Sequence, residues 1–267
     1  MRQSAFGLTD VGRVRPHNED AILLDGALGL YAVADGMGGH KGGEYASRIC
    51  LNTLKDYLLL ATRGQAPLQG ERQAGRSDNA NLLGSAVCFA NRAVFEAGLS
   101  NPEWRGMGTT LVAMTVRDNR VSIAHVGDSR AYLLRGGRFE QLTQDHSWVE
   151  EQVRAGLMSR DEALFAKGRN VLTRAVGQQE TVAVDLDELE LQAGDCLLLC
   201  SDGLFGMVAD EEIAALLGTS SSAEAACREL VACANGRGGQ DNISVVVVSL
   251  EAEGGLWTGL KRIFATG

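Results

Sequence analysis

An aspartate recurs wherever an apolar run ends. Asp35-Gly36 follows Leu30-Tyr31-Ala32-Val33-Ala34, Asp128 follows Ala124-His125-Val126-Gly127, and Asp202-Gly203 follows Leu197-Leu198-Leu199-Cys200-Ser201. Asp241 immediately precedes the apolar run Asn242 to Leu250, and Glu19-Asp20 precede the run that starts at Ala21. A single Asp of this kind is ordinarily a turn residue or a helix cap. Repetition at five run ends imposes a stronger condition. If those ends share one edge of the sheets, several carboxylates meet in one cleft, where unpaired they repel and some must take up a proton. A divalent cation relieves that repulsion, and all-oxygen ligands select a hard ion, Mg²⁺ or Mn²⁺ rather than zinc. The glycines after Asp35 and Asp202 would let a backbone carbonyl approach such an ion.

The order of elements limits the fold that can bring those ends together. Strand patterns cover Ser4 to Thr9, Ala21 to Asp25 and Leu28 to Ala34. A helix follows over Gly42 to Leu60, with Ala46, Ile49, Cys50, Leu54 and Leu58 at helical spacing. After a polar loop from Thr62 to Asn79, Asp78 is placed to cap a second helix, Asn79 to Leu99. Three strands come next (Thr109 to Val116, Arg120 to Val126, Arg130 to Arg135), with turns at Asp118-Asn119 and Gly136-Gly137. Residues 146 to 165 read as a polar helix, Thr181 to Leu191 and Asp195 to Ser201 as strands, Asp210 to Leu217 and Ala223 to Ala234 as helices, and Asn242 to Leu250 as a final strand. Strand and helix do not alternate strictly, which argues against a doubly wound parallel sheet and for antiparallel sheets covered by helices. No repeat or Pro/Ser linker divides the chain, so one domain over 1–250 is expected, with a small lid at about 144–170 and a tail at 251–267.

Composition removes several classes. With 25 Lys plus Arg against 34 Asp plus Glu, the net charge is −9. Such a surface repels nucleic acid and anionic lipid. The start, Met1 to Asp10, has no apolar stretch behind a basic one, and no uninterrupted apolar run approaches the ~18 residues of a membrane span. Six cysteines without CxxC spacing read as buried thiols and place the chain in a reducing cytoplasm. Arg15, four residues before Glu19, suits bidentate binding of a phosphoryl group beside a carboxylate cation site. Other phosphate chemistries lack their residues: there is no GxxxxGK[ST] loop, no cysteine six positions before an arginine, and no HExxH.

Eight short segments in order carry a resemblance: Arg15-Pro-His-Asn-Glu-Asp20, Asp35-Gly-Met-Gly-Gly-His40, Gly108-Thr-Thr110, Val126-Gly-Asp-Ser-Arg130, Leu142-Thr-Gln-Asp-His-Ser147, Leu172-Thr-Arg174, Ser201-Asp-Gly203 and Gln240-Asp-Asn242. Together they resemble the metal-dependent serine/threonine protein phosphatases of type 2C in their bacterial form, from Gly7 to about Leu250. The resemblance implies an α+β fold, an α-β-β-α sandwich of two stacked antiparallel sheets flanked by helices. It implies two or three Mn²⁺ or Mg²⁺ ions. Asp35 would bridge two of them with the Gly36 carbonyl beside it, and Asp202 and Asp241 would complete the other ion's shell. Glu19 and Asp20 would act directly or through water, and Asp128 would join Asp202 at a third ion. Arg15 would hold the substrate phosphate while a metal-bridging hydroxide attacks phosphorus in line, with no phosphoenzyme.

Expected partners are phosphorylated proteins, with a Hanks-type kinase and its substrates, for a chain acting as a monomer. Two positions depart from the family pattern. Met37 stands where animal members have a histidine proposed as proton donor, with His40 nearby. Phe165-Ala166-Lys167-Gly168-Arg169-Asn170 replaces the usual His-Pro before Arg-Asn in the lid. The tail, with Leu256, Trp257, Leu260, Ile263 and Phe264 on one helical face, reads as docking on its own domain or on a partner protein. Two alternatives share these residues: a catalytically silent phosphoprotein-binding relative, and a phosphatase of small phosphate esters.

Overall fold

The run Cys196–Cys200 is buried at every residue, so its strand must be covered on both faces. Its side chains divide as strand geometry requires. Cys196, Leu198 and Cys200 pack with Leu204, Ile213, Cys227 and Leu230 of the neighbouring helices, while Leu197 and Leu199 pack with Val33, Val112, Val246 and Val248 between two sheets. The same division holds for Leu30–Met37: Leu30, Ala32 and Ala34 face helices, and Tyr31 and Val33 face the second sheet. Two-sided burial of central strands therefore sets the layer order helix, sheet, sheet, helix.

The computed structural model describes residues 1–38, 42–66, 70–168 and 170–252. In chain order the strands are β1 (Arg2–Asp10), β2 (Asp20–Asp25), β3 (Leu30–Met37), β4 (Gly108–Thr109), β5 (Leu111–Arg117), β6 (Arg120–Val126), β7 (Arg130–Arg135), β8 (Arg138–Gln141), β9 (Asp185–Glu190), β10 (Cys196–Cys200) and β11 (Ile243–Glu251). The helices are α1 (Gly42–Thr62), α2 (Asp78–Ser100), α3 (Trp148–Arg154), α4 (Arg160–Phe165), α5 (Asp202–Phe205), α6 (Asp210–Thr219) and α7 (Ala223–Gly236). One sheet runs β1-β11-β10-β7-β8 and the other β2-β3-β5-β6-β9, with β4 paired to the end of β3. Every one of these pairings is antiparallel. This is the α-β-β-α sandwich that the resemblance implies, and its antiparallel sheets covered by helices are those expected from the element order. Helices α1 and α2 pack on the second sheet and α5 to α7 on the first. By length and hydropathy α2 could cross a bilayer; here its Leu83, Ala86, Val87, Ala90 and Val94 are fully buried in the core.

Local differences from the sequence expectation have local causes. Ser77, not Asp78, caps α2: its Oγ accepts from the Ala80 N–H at 3.1 Å, and Asp78 sits in the first turn, where its charge suits the helix dipole. The polar Arg138–Gln141 is a strand without an apolar signature, because the Gly136-Gly137 turn (φ +56° and +84°) folds it back on β7. The single helix expected over 146–165 is two, α3 capped by Ser147 and α4 opened by a Ser159/Glu162 capping box. The strand expected from Thr181 starts only at Asp185; just before it the carbonyls of Ala183 and Val184 accept from Arg174 Nη1 and Gln73 Nε2, side-chain donors in place of a neighbouring strand. Asp202 opens the short α5, between the expected strand Asp195 to Ser201 and the expected helix Asp210 to Leu217. All six cysteines are free thiols, as expected; Cys50, Cys196, Cys200 and Cys227 are buried, whereas Cys88 and Cys233 are only half-buried. The tail from 253 onward, and His40, lie outside the described residues.

Leu199 is fully buried between the sheets. Leu199→Ala should therefore cost about 2–5 kcal/mol of unfolding free energy in urea titration, through lost burial plus the cavity left behind. A cost below about 1 kcal/mol would mean that the sheets do not close on each other there.

Candidate active site

Strand register brings the carboxylates together. Asp20 at the start of β2 lies directly opposite Asp35 in β3. Asp128 lies two residues past β6, Asp202 two past β10, and Asp241 two before β11. Antiparallel pairing puts all of these strand ends at one end of the two sheets. The backbone of Asp35 is held on both sides: its N–H donates to Thr110 Oγ1 (3.1 Å), and its carbonyl accepts from the Thr110 N–H (2.8 Å) and from Thr109 Oγ1 (2.8 Å). Gly36 is needed for close approach, because a Cβ there would run into the carbonyls of Gly43 and Glu19.

Two residues tie the sheets across this end. Ser201 Oγ donates to Asp20 Oδ2 (2.7 Å) and accepts from the Ser244 N–H (3.0 Å). Asn242 Oδ1 accepts from the Glu19 N–H (2.8 Å), and its amide donates to the carbonyls of Val11 and His17 (both 3.0 Å), pinning the loop that carries Arg15. Arg15 Nη2 donates to Asp241 Oδ2 at 2.7 Å, with about half of its side chain exposed. The result is a cleft of about 700 Å³ walled by Arg15, Glu19, Asp35, Asp128, Asp202 and Asp241. Gly36 and Met37 line it as well, and so does His17. Asp20 is buried behind that wall.

Burial and like charge act in the same direction on these groups. Asp20 and Asp128 are pushed up to about 7 and Asp202 to about 6, burial being the largest cause in each. Asp35 is raised well above the usual carboxylate range by burial and by Asp20, Asp202, Asp128 and Asp241 around it. Burial also raises Glu19. Two oxygens, Asp20 Oδ1 and Asp202 Oδ1, are buried and accept no hydrogen bond from the protein. Buried acceptors are rarely left without a partner. Orphaned carboxylate oxygens among raised carboxylates, in an all-oxygen cleft, are the chemistry that a hard divalent cation satisfies.

The sequence reading named the carboxylates but not the groups that hold them. Asn242, Ser201 and Thr110 lie inside the quoted segments, yet their bonds cross from one sheet or loop to another and have no signature in spacing. Gln178 belongs to none of the segments. It reaches the cleft because Val176 bridges to Thr109, and its amide lies 3.5 Å from Met37 Sδ. Asn170, at the end of the expected lid, lines the cleft, and so does Leu172 just beyond it.

A four-layer sandwich with a carboxylate-rich cleft where both sheets end is the class of protein that this fold and site define. Residues 13–244 match the family model Protein phosphatase 2C. The serine/threonine phosphatase stp of Listeria welshimeri is 38% identical over 243 residues, covering 90% of this chain and 93% of the relative. The crystal structure of the Mycobacterium tuberculosis serine/threonine phosphatase PstP/Ppp superposes with a TM-score of 0.82 at 35% identity, covering 94% of this chain and 99% of that one. A structure of the PstP catalytic domain in complex with two manganese ions matches with a TM-score of 0.79 at 34% identity, over 94% and 99% of the two chains. The chain belongs to the protein phosphatase 2C family.

The raised carboxyls give a metal-free stability test. Folded Asp20, Asp128 and Asp202 hold protons more tightly than the unfolded chain, whose Asp titrates near ~3.9. Stability in chelator should therefore fall as pH rises from about 4 to about 7. We expect a higher Tm at pH 5.5 than at pH 8. Asp202→Asn should flatten that slope and raise the metal-free Tm at pH 8. A wild-type Tm independent of pH across this window would show that the cleft carries no such repulsion.

Proposed function

We propose that this chain is a metal-dependent phosphoprotein phosphatase that hydrolyses phosphoserine and phosphothreonine. The observation that carries this reading is the convergence of Asp35, Asp128, Asp202 and Asp241 in one cleft beside Arg15, with orphaned buried carboxylate oxygens among them. The catalytic unit spans residues 1–250, with a lid at about 144–170. Its substrates are phosphorylated proteins, and its counterpart is a Hanks-type kinase. It works as a cytoplasmic monomer, without a membrane span and without nucleic acid.

Asp35, Asp202, Asp241 and the Gly36 carbonyl would hold two divalent cations, Mn²⁺ or Mg²⁺. Asp128 with Asp202 would hold a third, and Glu19 and Asp20 would support them directly or through water. When bound, such cations supply an activated water and neutralise charge on the phosphoryl group. The chain's own side chains do the rest. Asp241 fixes one edge of the Arg15 guanidinium, and the exposed remainder faces the cleft, where it can take phosphoryl oxygens and absorb charge that develops on them. Met37 lines the cleft where animal relatives have a histidine, and a thioether cannot protonate a leaving alkoxide.

The direct experiment is hydrolysis of a phosphothreonine peptide. Activity should disappear in excess chelator and return with Mn²⁺ or Mg²⁺, while thiol-blocking reagents leave it largely intact. Full activity in chelator would overturn the cation reading, and peptide binding without turnover would favour a catalytically silent relative. Arg15→Ala should lower kcat/KM by about 10- to 100-fold, the size expected from losing a charged hydrogen-bonding group. Cation affinity should change little. An unchanged kcat/KM would place Arg15 outside the phosphate site.

A further inference from the structure

A second cluster of titratable groups lies behind the Asp128 loop. His125, His146 and Asp185 bring ligand-type atoms within 4.8 Å of one another, and the two rings stack with centroids 4.5 Å apart. The hydrogen bonds argue against a metal there. His146 Nδ1 accepts from the Gly127 N–H at 3.1 Å, so the proton of the neutral ring sits on Nε2, which donates to Asp185 Oδ2 at 3.2 Å. His125 Nε2 donates to the Gln144 carbonyl at 2.8 Å, and Arg174 occupies the other Asp185 oxygen at 2.6 Å. A cation would have to displace each of these.

What the cluster does hold is the peptide that precedes Asp128. His146 grips Gly127 twice: its ring takes the Gly127 N–H, and its own N–H donates to the Gly127 carbonyl at 2.9 Å. Gly127 has φ +105°, and a Cβ there would run into the side chain of Thr110, so this peptide is fixed in a conformation that glycine alone adopts easily. The preceding residue, Asp145, grips the far side of the same loop through Arg130, whose guanidinium also lies 3.7 Å over the ring of Phe205 in α5, the helix that Asp202 opens. The ring of His146 is in turn oriented by Asp185, which is shared with Arg174 just past the expected lid. The Thr173 N–H closes the lid root on the His146 carbonyl at 2.9 Å.

We propose that His146 is a positioning residue for cation binding at Asp128: by accepting the Gly127 N–H it sets the peptide that carries Asp128, and Asp185 with Arg174 sets the ring, so that the lid root and the cation site move as one unit. This rests on the cation reading of the cleft given above.

The test separates the two ring nitrogens. Asn at 146 places an amide oxygen near the position of Nδ1 and can keep the bond from Gly127. Gln reaches toward the position of Nε2 and keeps only the partner at Asp185. Mn²⁺ binding to the full chain is measured by calorimetry, and the Asp128-dependent step is identified by its loss in Asp128→Ala. His146→Gln should weaken that step by about 10-fold, the loss of one buried acceptor, while His146→Asn stays within about 3-fold of wild type. A merely structural role would weaken both alike, in step with their metal-free melting temperatures, and that result overturns the proposal. Asp185→Asn, at a half-exposed position where the amide oxygen can still accept from His146, provides a second reading with its metal-free melting temperature measured alongside: the same step should weaken by a few-fold at an unchanged melting temperature, and unchanged binding overturns the proposal. Wild-type protein that binds no Mn²⁺ and turns over no phosphopeptide would instead sink the phosphatase reading itself.

Discussion

Mutual repulsion among buried carboxylates is the constraint around which the rest of this protein is arranged. Asp20, Asp35, Asp128 and Asp202 are all raised by burial and by at least one neighbouring carboxylate. A cluster like this opposes folding unless a cation, shared protons or surrounding donors offset it. Its members are therefore anchored through their backbones and through neutral donors. Thr110 holds both peptide groups of Asp35, Ser201 donates to Asp20, and Arg15 is the cation at the rim, paired with Asp241.

Rigidity at the strand ends depends on the layers behind them. Burial on both faces, with alternate residues pointing opposite ways, locks β3 and β10 between helices on one side and the opposite sheet on the other, and a one-residue slip would turn every side chain over. The register that sets Asp20 against Asp35 is thus fixed by Tyr31, Val33 and the leucines of β10, far from any chemistry. Ser201 and Asn242 then convert two separate sheet ends into one site, because Ser201 joins Ser244 of its own sheet to Asp20 of the other and Asn242 accepts from Glu19 in the loop that enters β2.

The lid root adds a second level of support. Asp145 and His146 are neighbours in sequence but face different sheets, one holding Arg130 of β7 and the other Asp185 of β9. Between them lies the loop Gly127-Asp128-Ser129, further tied by the contact of Ser129 Oγ with Thr110 Oγ1 at 2.6 Å. A displacement of either grip would therefore be felt at Asp128.

Much of the fold was legible in the chain before any coordinates. The apolar runs, the turns at Asp118-Asn119 and Gly136-Gly137, and the helical spacing of α1 and α2 identified most elements, because hydrophobic periodicity is a local property. The carboxylates were legible for a similar reason: each sits at a visible boundary between an apolar run and a glycine or turn. The strand Arg138–Gln141 was not, since its pairing with β7 comes from a turn rather than from its own polar residues. Nor was the start of β9, where side chains of Arg174 and Gln73 take the carbonyls of Ala183 and Val184 that a strand would have used. Sequence thus determined which residue types stand at the run ends, and so the chemistry that a site built from them could perform. Tertiary structure alone decided that those ends meet, that Arg15 pairs with Asp241, and that His146 takes the Gly127 N–H. These depend on strand order, register and contacts between residues as far apart as Arg15 and Asp241, and no local pattern in a chain encodes a distance across two sheets.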